Sequence, residues 1–299
     1  METTTMSGRL FGQRSAADRL DSLMTIVFAR TDYTYDSYSD FWRLVELAGY
    51  PIVNVSDIRF DEDVTYIFTP MNGQIPAHLA SDTVGDRATK RCRIVWWNLE
   101  YHSTEEHSLS KGLDAGYPLV DAVWVSDMWI AAQDPRTTHV MLGGDKRLRV
   151  AIHGAEKAFD VAHMSYIHGR REGIFADLRA RGRSLAPAGW GIERAAALSA
   201  SRLMLHVHQY PTPVMAPLRA CLAAAYKLPM VVETLADPGI YRDTLYLAGY
   251  DDLVNEVERA LRDPGLVERG ERLYRLLCED RTFRDEVERG IENTVWRQR

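Results

Sequence analysis

Several features that define common protein classes are missing from this 299-residue sequence. Its three cysteines, Cys92, Cys221 and Cys278, are far apart and odd in number, so neither a disulfide framework nor a zinc motif is predicted. No apolar run approaches the ~18 residues of a membrane-spanning helix. The N-terminus also lacks the apolar core of a signal peptide. We therefore expect a cytoplasmic protein with no membrane span.

The sequence has no excess of positive charge, since its net charge is −6. A global attraction to nucleic acid or to anionic membranes is therefore not expected. Basic residues nevertheless cluster in three places, namely Arg87, Lys90, Arg91 and Arg93, then Lys146, Arg147 and Arg149, then Arg179, Arg181 and Arg183. Such clusters either follow a phosphate backbone or form salt bridges on an ordinary surface, and the sequence leaves both open.

Familiar nucleotide motifs are absent or incomplete. There is no P-loop and no nucleophile elbow. Gly189-Trp190-Gly191 is only a fragment of a dinucleotide fingerprint, so NAD is not expected. The run Asp61-Glu62-Asp63 resembles a metal-binding Asp-x-Asp pattern, but it precedes a predicted strand and is interpreted as a solvated turn.

Short apolar runs alternate with helical patterns along most of the chain, which predicts parallel α/β sheets. Strands are predicted in the first half at 24–29, 51–55, 64–69, 93–98, 122–126 and 139–142. A charged junction after Gly143-Gly144 precedes a second α/β run, whose first strand is predicted at 161–167. The chain is thus divided into an N-terminal tail (1–23), a first domain (24–150), a second domain (151–280) and a terminal helix (281–299).

The stretch 201–238 organises the second half. Its apolar run RLMLHVH, its helix from Pro217 and its strand MVVE form a βαβ unit. Ligands of parallel sheets bind at the carboxyl ends of the strands. Those ends carry polar residues, namely His206, His208, Gln209 and Tyr210 in one loop and Glu233, Thr234 and Asp237 in the next.

The order of motifs from residue 165 onward resembles the sugar-donor domain of GT-B glycosyltransferases of the family-4-like bacterial and phage group. The matching segments are HGRR (168–171), LHVHQYPTP, a helix beginning PLR, a strand ending VVE, and LAGYDDLVNEVERALRDP. The first half resembles the family more loosely, through RIVWWNLE and VWVSD. One departure is that residues 213–216 read PVMA where many such enzymes carry an acid.

The resemblance implies two Rossmann-like domains facing each other across a cleft, with C-terminal helices packing back. It implies metal-independent transfer of a sugar from a nucleotide-diphosphate sugar, with UDP as the favoured nucleotide, to an acceptor hydroxyl. No cofactor is then needed, because the nucleotide sugar is a substrate. The acceptor is a saccharide, a small molecule or, as an alternative, a 5-hydroxymethylated pyrimidine in phage-type DNA. A competing hypothesis is a non-catalytic two-domain protein that binds a nucleotide or sugar.

Candidate residues for binding the sugar nucleotide follow from charge and position. Gly169, Arg170 and Arg171 lie where a strand feeds a helix, and cations there stabilise a departing diphosphate. Arg219 is unfavourable in the first turn of its helix unless an anion is bound. Glu233 suits ribose hydroxyls, and His208 is the better candidate of the two nearby histidines. His206 is predicted to be a satisfied core residue, because no third metal ligand accompanies the pair.

A base for the acceptor hydroxyl is expected from the first domain if the reaction inverts configuration. Glu100 is the first candidate, with His102 beside it, and Asp32 is the second choice together with Asp36. A retaining mechanism would need no such base, and Glu100 would then be a capping or loop carboxylate. The sequence indicates neither the stereochemical outcome nor the oligomeric state.

Overall fold

The computed structural model describes residues 25–30, 38–58, 63–69, 92–99, 114, 120–152, 156–211 and 214–297. Within these ranges, every helix is too short or too polar to cross a lipid bilayer. The described residues form two parallel sheets, one from each half of the chain.

The first sheet has six strands in the order β2-β1-β3-β4-β5-β6, and every pairing is parallel. Its strands are β1 (Thr25–Arg30), β2 (Ile52–Asn54), β3 (Val64–Phe68), β4 (Arg93–Asn98), β5 (Ala122–Val125) and β6 (Thr137–His139). The central strands are apolar on both faces, as in β4, where Ile94 to Trp97 are all buried.

Two helices of this half lie within the described residues. Helix α1 (Ser39–Ala48) has apolar residues at helical spacing and is ended by Gly49 at φ 78°. Helix α2 (Met128–Ala131) is a single turn that follows β5. Its first amides are bonded by the side chain of Asp127, at 2.9 Å from the nitrogen of Trp129 and 3.2 Å from that of Ile130.

The second sheet has four parallel strands in the order β10-β9-β8-β7. They are β7 (Phe159–Ala162), β8 (Ser201–His206), β9 (Met230–Glu233) and β10 (Leu245–Ala248). The helices of this half are α3 (Arg170–Ala180), α4 (Gly191–Ser199), α5 (Pro217–Ala225), α6 (Leu253–Arg262), α7 (Leu266–Arg275) and α8 (Phe283–Asn293). The predicted βαβ unit in 201–238 is confirmed as β8, α5 and β9.

The two halves share one hydrophobic core that contains buried residues from both sheets. At the junction, the Cα of Gly143 lies so close to the backbone of residues 281–282 that a Cβ would meet a carbonyl oxygen at 2.3 Å. Helix α8 packs on the first sheet, where Phe283 stacks on Trp97 at 5.8 Å between ring centroids. The junction is therefore tightly packed rather than a loose linker.

Two strand predictions were wrong. The strand predicted at 139–142 ends at His139, because residues 140–142 leave the ladder and are buried in the core shared with α8. The strand predicted at 161–167 is β7, which begins two residues earlier and is shorter. Val161 of this strand also forms a single bridge with Leu185.

Candidate functional site

A cleft of about 270 Å³ lies between the two halves of the chain. The first half contributes Tyr38, Asp40 and Leu99 to its wall. The second half contributes residues from the carboxyl end of β8 and the start of α5, where ligands of parallel sheets bind. Arg171, His206, His208 and Arg219 all line this cleft. The cleft is thus lined by three of the six residues predicted to bind the sugar nucleotide, namely Arg171, His208 and Arg219.

Gly169 and Arg170 begin helix α3. Gly169 has φ 58° and ψ −131°, a conformation that costs side-chain-bearing residues energy. Its amide is bonded by the carboxylate of Glu172 at 3.2 Å. This turn directs Arg170 toward β9, where its guanidinium stacks over the ring of Tyr250 at 4.1 Å.

Glu233 ends β9 and is engaged by Arg170 through two parallel hydrogen bonds, of 2.7 Å to Oε2 and 2.8 Å to Oε1. Its Oε2 also accepts the backbone N–H of His208 at 3.1 Å. Glu233 is only 8% exposed, so this arrangement satisfies most of a buried carboxylate. The residues predicted for phosphate and for ribose therefore contact each other directly.

Arg171 is the most buried cation of the cleft, at 3% exposure. Its Nε donates to the carbonyl of Val207 at 3.0 Å and its Nη1 to that of Tyr166 at 3.3 Å. Among the described residues, no carboxylate forms an ion pair with it. Burial lowers the pKa of Arg171, and the adjacent positive charge of Arg170 lowers it further. A buried positive charge beside a cleft attracts an anion.

His206 and Arg219 form a second cationic unit. Arg219 Nη1 lies 2.8 Å from Nδ1 of His206, and since a guanidinium only donates, this nitrogen accepts. Burial lowers the pKa of His206 well below its usual range, with Arg219 adding to the effect, so the ring is neutral and its Nε2 carries the proton. That Nε2 is buried and has no hydrogen-bond partner among the residues that the structure describes. The prediction of a satisfied core histidine was therefore wrong for this nitrogen.

His208 lies two residues beyond the end of β8 and is 3% exposed. Its ring packs edge-on against that of His206, with centroids 4.9 Å apart. Burial lowers the pKa of His208, and its Nε2 also lacks a hydrogen-bond partner. Two buried ring nitrogens of neighbouring histidines thus remain to be satisfied at the cleft.

An ion pair closes one side of the cleft. Arg194 on α4 donates to Asp40 on α1 at 2.7 Å, and both side chains are largely buried. The sequence analysis missed both residues, because they are 154 positions apart. The sequence did contain one signal for Arg194. It lies among the apolar residues of α4, and a buried arginine needs a partner of opposite charge.

Trp190 also lines the cleft, and 40% of its surface is exposed. The guanidinium of Arg194 lies 5.3 Å from its ring centroid. The exposed rings of Tyr166 and Tyr210 are nearby, with Tyr166 at 6.5 Å from Trp190 between centroids. The aromatic rings of Trp190 and Tyr210 therefore line the same cleft as the cations Arg171 and Arg219.

The predicted catalytic residues Glu100, His102 and Asp32, and also Asp36, lie outside the described residues. The basic clusters are described in part, and several of their members have partners. Arg183 pairs with Glu258, Arg181 bonds Asn255, and Arg147 pairs with Asp145. Within the described part of the chain, no three His, Cys, Asp or Glu side chains come together as a metal site.

No protein-family model matches the chain, and no curated protein is significantly similar to it. Among solved structures, AviGT4, a glycosyltransferase involved in avilamycin A biosynthesis, is similar with a TM-score of 0.57 at 12% identity, covering 90% of this chain and 96% of that one. A structure described as "Trehalose-6-phosphate from E. coli bound with UDP-2-fluoro glucose" is similar with a TM-score of 0.55 at 10% identity, covering 86% and 78%.

The chain also spans 55% of the length of a chain in the Glycosylation Associate Protein (Gap123) complex from Streptococcus agalactiae, with a TM-score of 0.48 at 12% identity and 80% of this chain covered. At such low identities, structural similarity speaks for the fold alone. Two parallel α/β sheets flanking a cleft, together with the two closer likenesses, show that this chain has the GT-B fold of glycosyltransferases.

Proposed function

We propose that this protein is a glycosyltransferase that moves a sugar from a nucleotide-diphosphate sugar to an acceptor hydroxyl. The observation that carries the proposal is the polar lining of the cleft, where, among the described residues, buried Arg171 has no carboxylate partner and the Nε2 atoms of His206 and His208 have no hydrogen-bond partner. Burying these polar groups without a ligand costs free energy, and their positive charge and N–H groups favour an anionic ligand.

A departing diphosphate has the chemistry that this lining accommodates. As the bond to the sugar breaks, negative charge grows on the phosphate oxygens, and donors fixed in a water-poor site stabilise it. Arg171 and Arg219 supply positive charge, and the neutral His206 supplies an N–H. The proposed diphosphate position is therefore between Arg171 and the start of α5, while Gly169 allows the turn that presents Arg170 and Arg171.

The ribose is assigned to Glu233 and the base to Trp190. Oε1 of Glu233 accepts one hydrogen bond, from Arg170, and a carboxylate oxygen accommodates a second. Arg170 would hold the carboxylate in place and contribute charge near the phosphates. Trp190 offers an exposed π face on the same cleft for a nucleobase.

The GT-B fold supports the proposal, since AviGT4 is named as a glycosyltransferase and a second similar structure holds UDP-2-fluoro glucose. UDP is accordingly the nucleotide proposed first. Metal independence is proposed because Arg171 and Arg219 supply the positive charge that a metal ion would otherwise provide.

The test is a thermal-shift screen with UDP, GDP and their sugar conjugates, followed by assays of nucleotide release in EDTA. A ligand at 100 times its Kd stabilises by about 2.7 kcal/mol, which is readily seen. Arg171→Gln should abolish the shift, while Arg202→Gln, which removes an arginine that does not line the cleft and is bonded to Asp160 and to the carbonyl of Leu261, should keep it.

The outcomes separate the hypotheses. Nucleotide binding without turnover on any acceptor would indicate the non-catalytic alternative. Acceptors should include monosaccharides, small phenols and hydroxymethylcytosine DNA, since a changed nucleoside mass would identify the DNA-modifying alternative. If no nucleotide raises the melting temperature and no sugar nucleotide is consumed, the proposed function is wrong.

A further inference from the structure

A second cavity, of about 150 Å³, adjoins the cleft and is not used by the function proposed above. Its space corresponds to about five water molecules at ~30 Å³ each, so it suits a single small ring or a hydroxyl-bearing group. On one side it is lined by Ser126, Asp127 and His139 of the first half, and on the other by the loop after β9.

The position of this cavity is set by strand ends. Val125 of β5 pairs with His139 of β6 in parallel register, so Asp127 and His139 emerge together at the carboxyl edge of the first sheet. The opposite wall begins two residues after Glu233. Met215 and Pro217 line both the cavity and the cleft, which places the two spaces next to each other.

The cavity contains a proton acceptor, His139, and a carboxylate close to it, Asp127. The imidazole of His139 lies beside the backbone carbonyl of Ser126, which raises its pKa. A neutral ring that donates to this carbonyl keeps its other nitrogen as an acceptor. Asp127 is held by the amides of Trp129 and Ile130 and lies close enough to influence the charge of His139. Desolvation lowers the pKa of His139, Asp127 counteracts this and Arg281 lowers it further, so the ring is neutral near pH 7.

We propose that this cavity binds the acceptor hydroxyl and that His139 is the catalytic residue that removes its proton. The inference rests on the proposed function. The acceptor oxygen forms a bond to the anomeric carbon as its proton passes to the free nitrogen of His139. The bond from that carbon to the diphosphate breaks, and the electron pair leaves with the nucleoside diphosphate. Asp127 stabilises the imidazolium, which then releases its proton to solvent, and the product has inverted configuration.

The experiment compares His139→Ala, Asp127→Ser and the control Gln133→Ala, which alters an exposed residue between α2 and β6. Serine retains the helix cap of Asp127 but removes its charge. UDP release from UDP-glucose is measured with water and with glucose, galactose, mannose or N-acetylglucosamine as acceptor probes. His139→Ala should lower turnover about 10²–10⁴-fold with UDP affinity unchanged. Free imidazole should restore part of that rate.

The pH profile gives an independent measurement. The groups facing His139 are Asp127, Arg281 and, across the cavity, Asp237. Because Asp127 raises the pKa of His139, Asp127→Ser should move the acidic limb of the turnover profile to lower pH. The control should match the wild type in rate, affinity and profile.

Each contrary outcome has a distinct meaning. If the wild type neither binds UDP nor consumes a sugar nucleotide, the proposed function fails first. If the wild type is active and His139→Ala retains its rate, the inference is wrong. It is also wrong if imidazole restores nothing, if the variant loses UDP binding, or if the product keeps the configuration of the donor sugar.

Discussion

Replacing Glu233 by glutamine should destabilise the protein, because the change leaves Arg170 without its counter-charge. The pair has two parallel hydrogen bonds of 2.7 and 2.8 Å, and the side chains of Arg170 and Glu233 are only 21% and 11% exposed. A third bond, from the amide of His208, further orders the carboxylate. This geometry makes the pair one of the stronger polar contacts of the cleft.

The magnitude follows from charge separation and burial. Two unit charges about 4 Å apart attract by about 4 kcal/mol at an effective dielectric constant of ~20. Removing one partner of a buried pair costs about 3–5 kcal/mol, since the other charge is left desolvated. Arg170 keeps its contacts with the carbonyl of His208 and the ring of Tyr250, so we expect the lower end, about 3 kcal/mol, for Glu233→Gln.

The assay is a double-mutant cycle of Glu233→Gln and Arg170→Gln by urea unfolding at pH 7. The double variant should lose less than the sum of the single variants, with a coupling free energy of about 2 kcal/mol. Arg183 and Glu258 provide a matched control, because they too form two parallel hydrogen bonds and have side chains 26% and 11% exposed. Both cycles should show coupling, but only the cleft pair should alter UDP affinity. Additive effects at Arg170 and Glu233 would refute the reasoning.

Three further changes test other parts of the site. Gly169→Ala should lower the free energy of unfolding in urea by about 1–3 kcal/mol, because a Cβ there meets no atom within 4 Å and the cost comes from the positive φ alone. Gly249→Ala is the control, since a Cβ there also meets no atom within 4 Å but φ is −60°, and its loss of stability should be much smaller. Trp190→Ala should weaken UDP binding by about 1–3 kcal/mol in calorimetry with little loss of stability, and unchanged affinity would contradict base stacking. Burial raises the pKa of Asp40, so the folded state favours its protonated form. The unfolding free energy of wild type relative to Asp40→Asn should therefore increase as the pH falls through that raised pKa toward 3.8, and a constant difference would contradict it.

The main elements of the fold were predictable because their cause is local. Apolar runs such as 93–98 and 230–233 form buried strands in both the prediction and the structure. Gly49 and Pro229 interrupt helices through backbone geometry that needs no tertiary partner. The run 139–142 was misassigned because burial in a sheet and burial in a core between layers give the same apolar pattern.

The contacts within the site were less accessible to sequence reasoning. Arg170, Arg171, Arg219 and Glu233 were identified from charge at strand and helix ends, which topology gathers at one edge. The pairing of Arg170 with Glu233 was not predicted, because the two residues are 63 positions apart and each was assigned to a different part of the ligand. The unsatisfied Nε2 of His206 was not predicted either, because the position of the Arg219 guanidinium decides which ring nitrogen is hydrogen-bonded.

The segment 214–216 shows how the two halves of the chain complete one another. Its sequence departs from the family pattern because it carries no acidic side chain. In the structure, however, the carboxylate of Asp127, which belongs to the opposite half, lies close enough to the amide of Met215 for that amide to lower the pKa of the carboxyl group. A carboxylate therefore does lie beside the start of α5, although a residue nearly ninety positions earlier supplies it. Since Met215 lines both the cleft and the second cavity, this contact lies where the proposed sugar-nucleotide side and acceptor side meet. Asp127→Ser removes the contact as well as the charge near His139, and a crystal structure of that variant with Met215 unmoved would attribute its shifted pH profile to the lost charge alone.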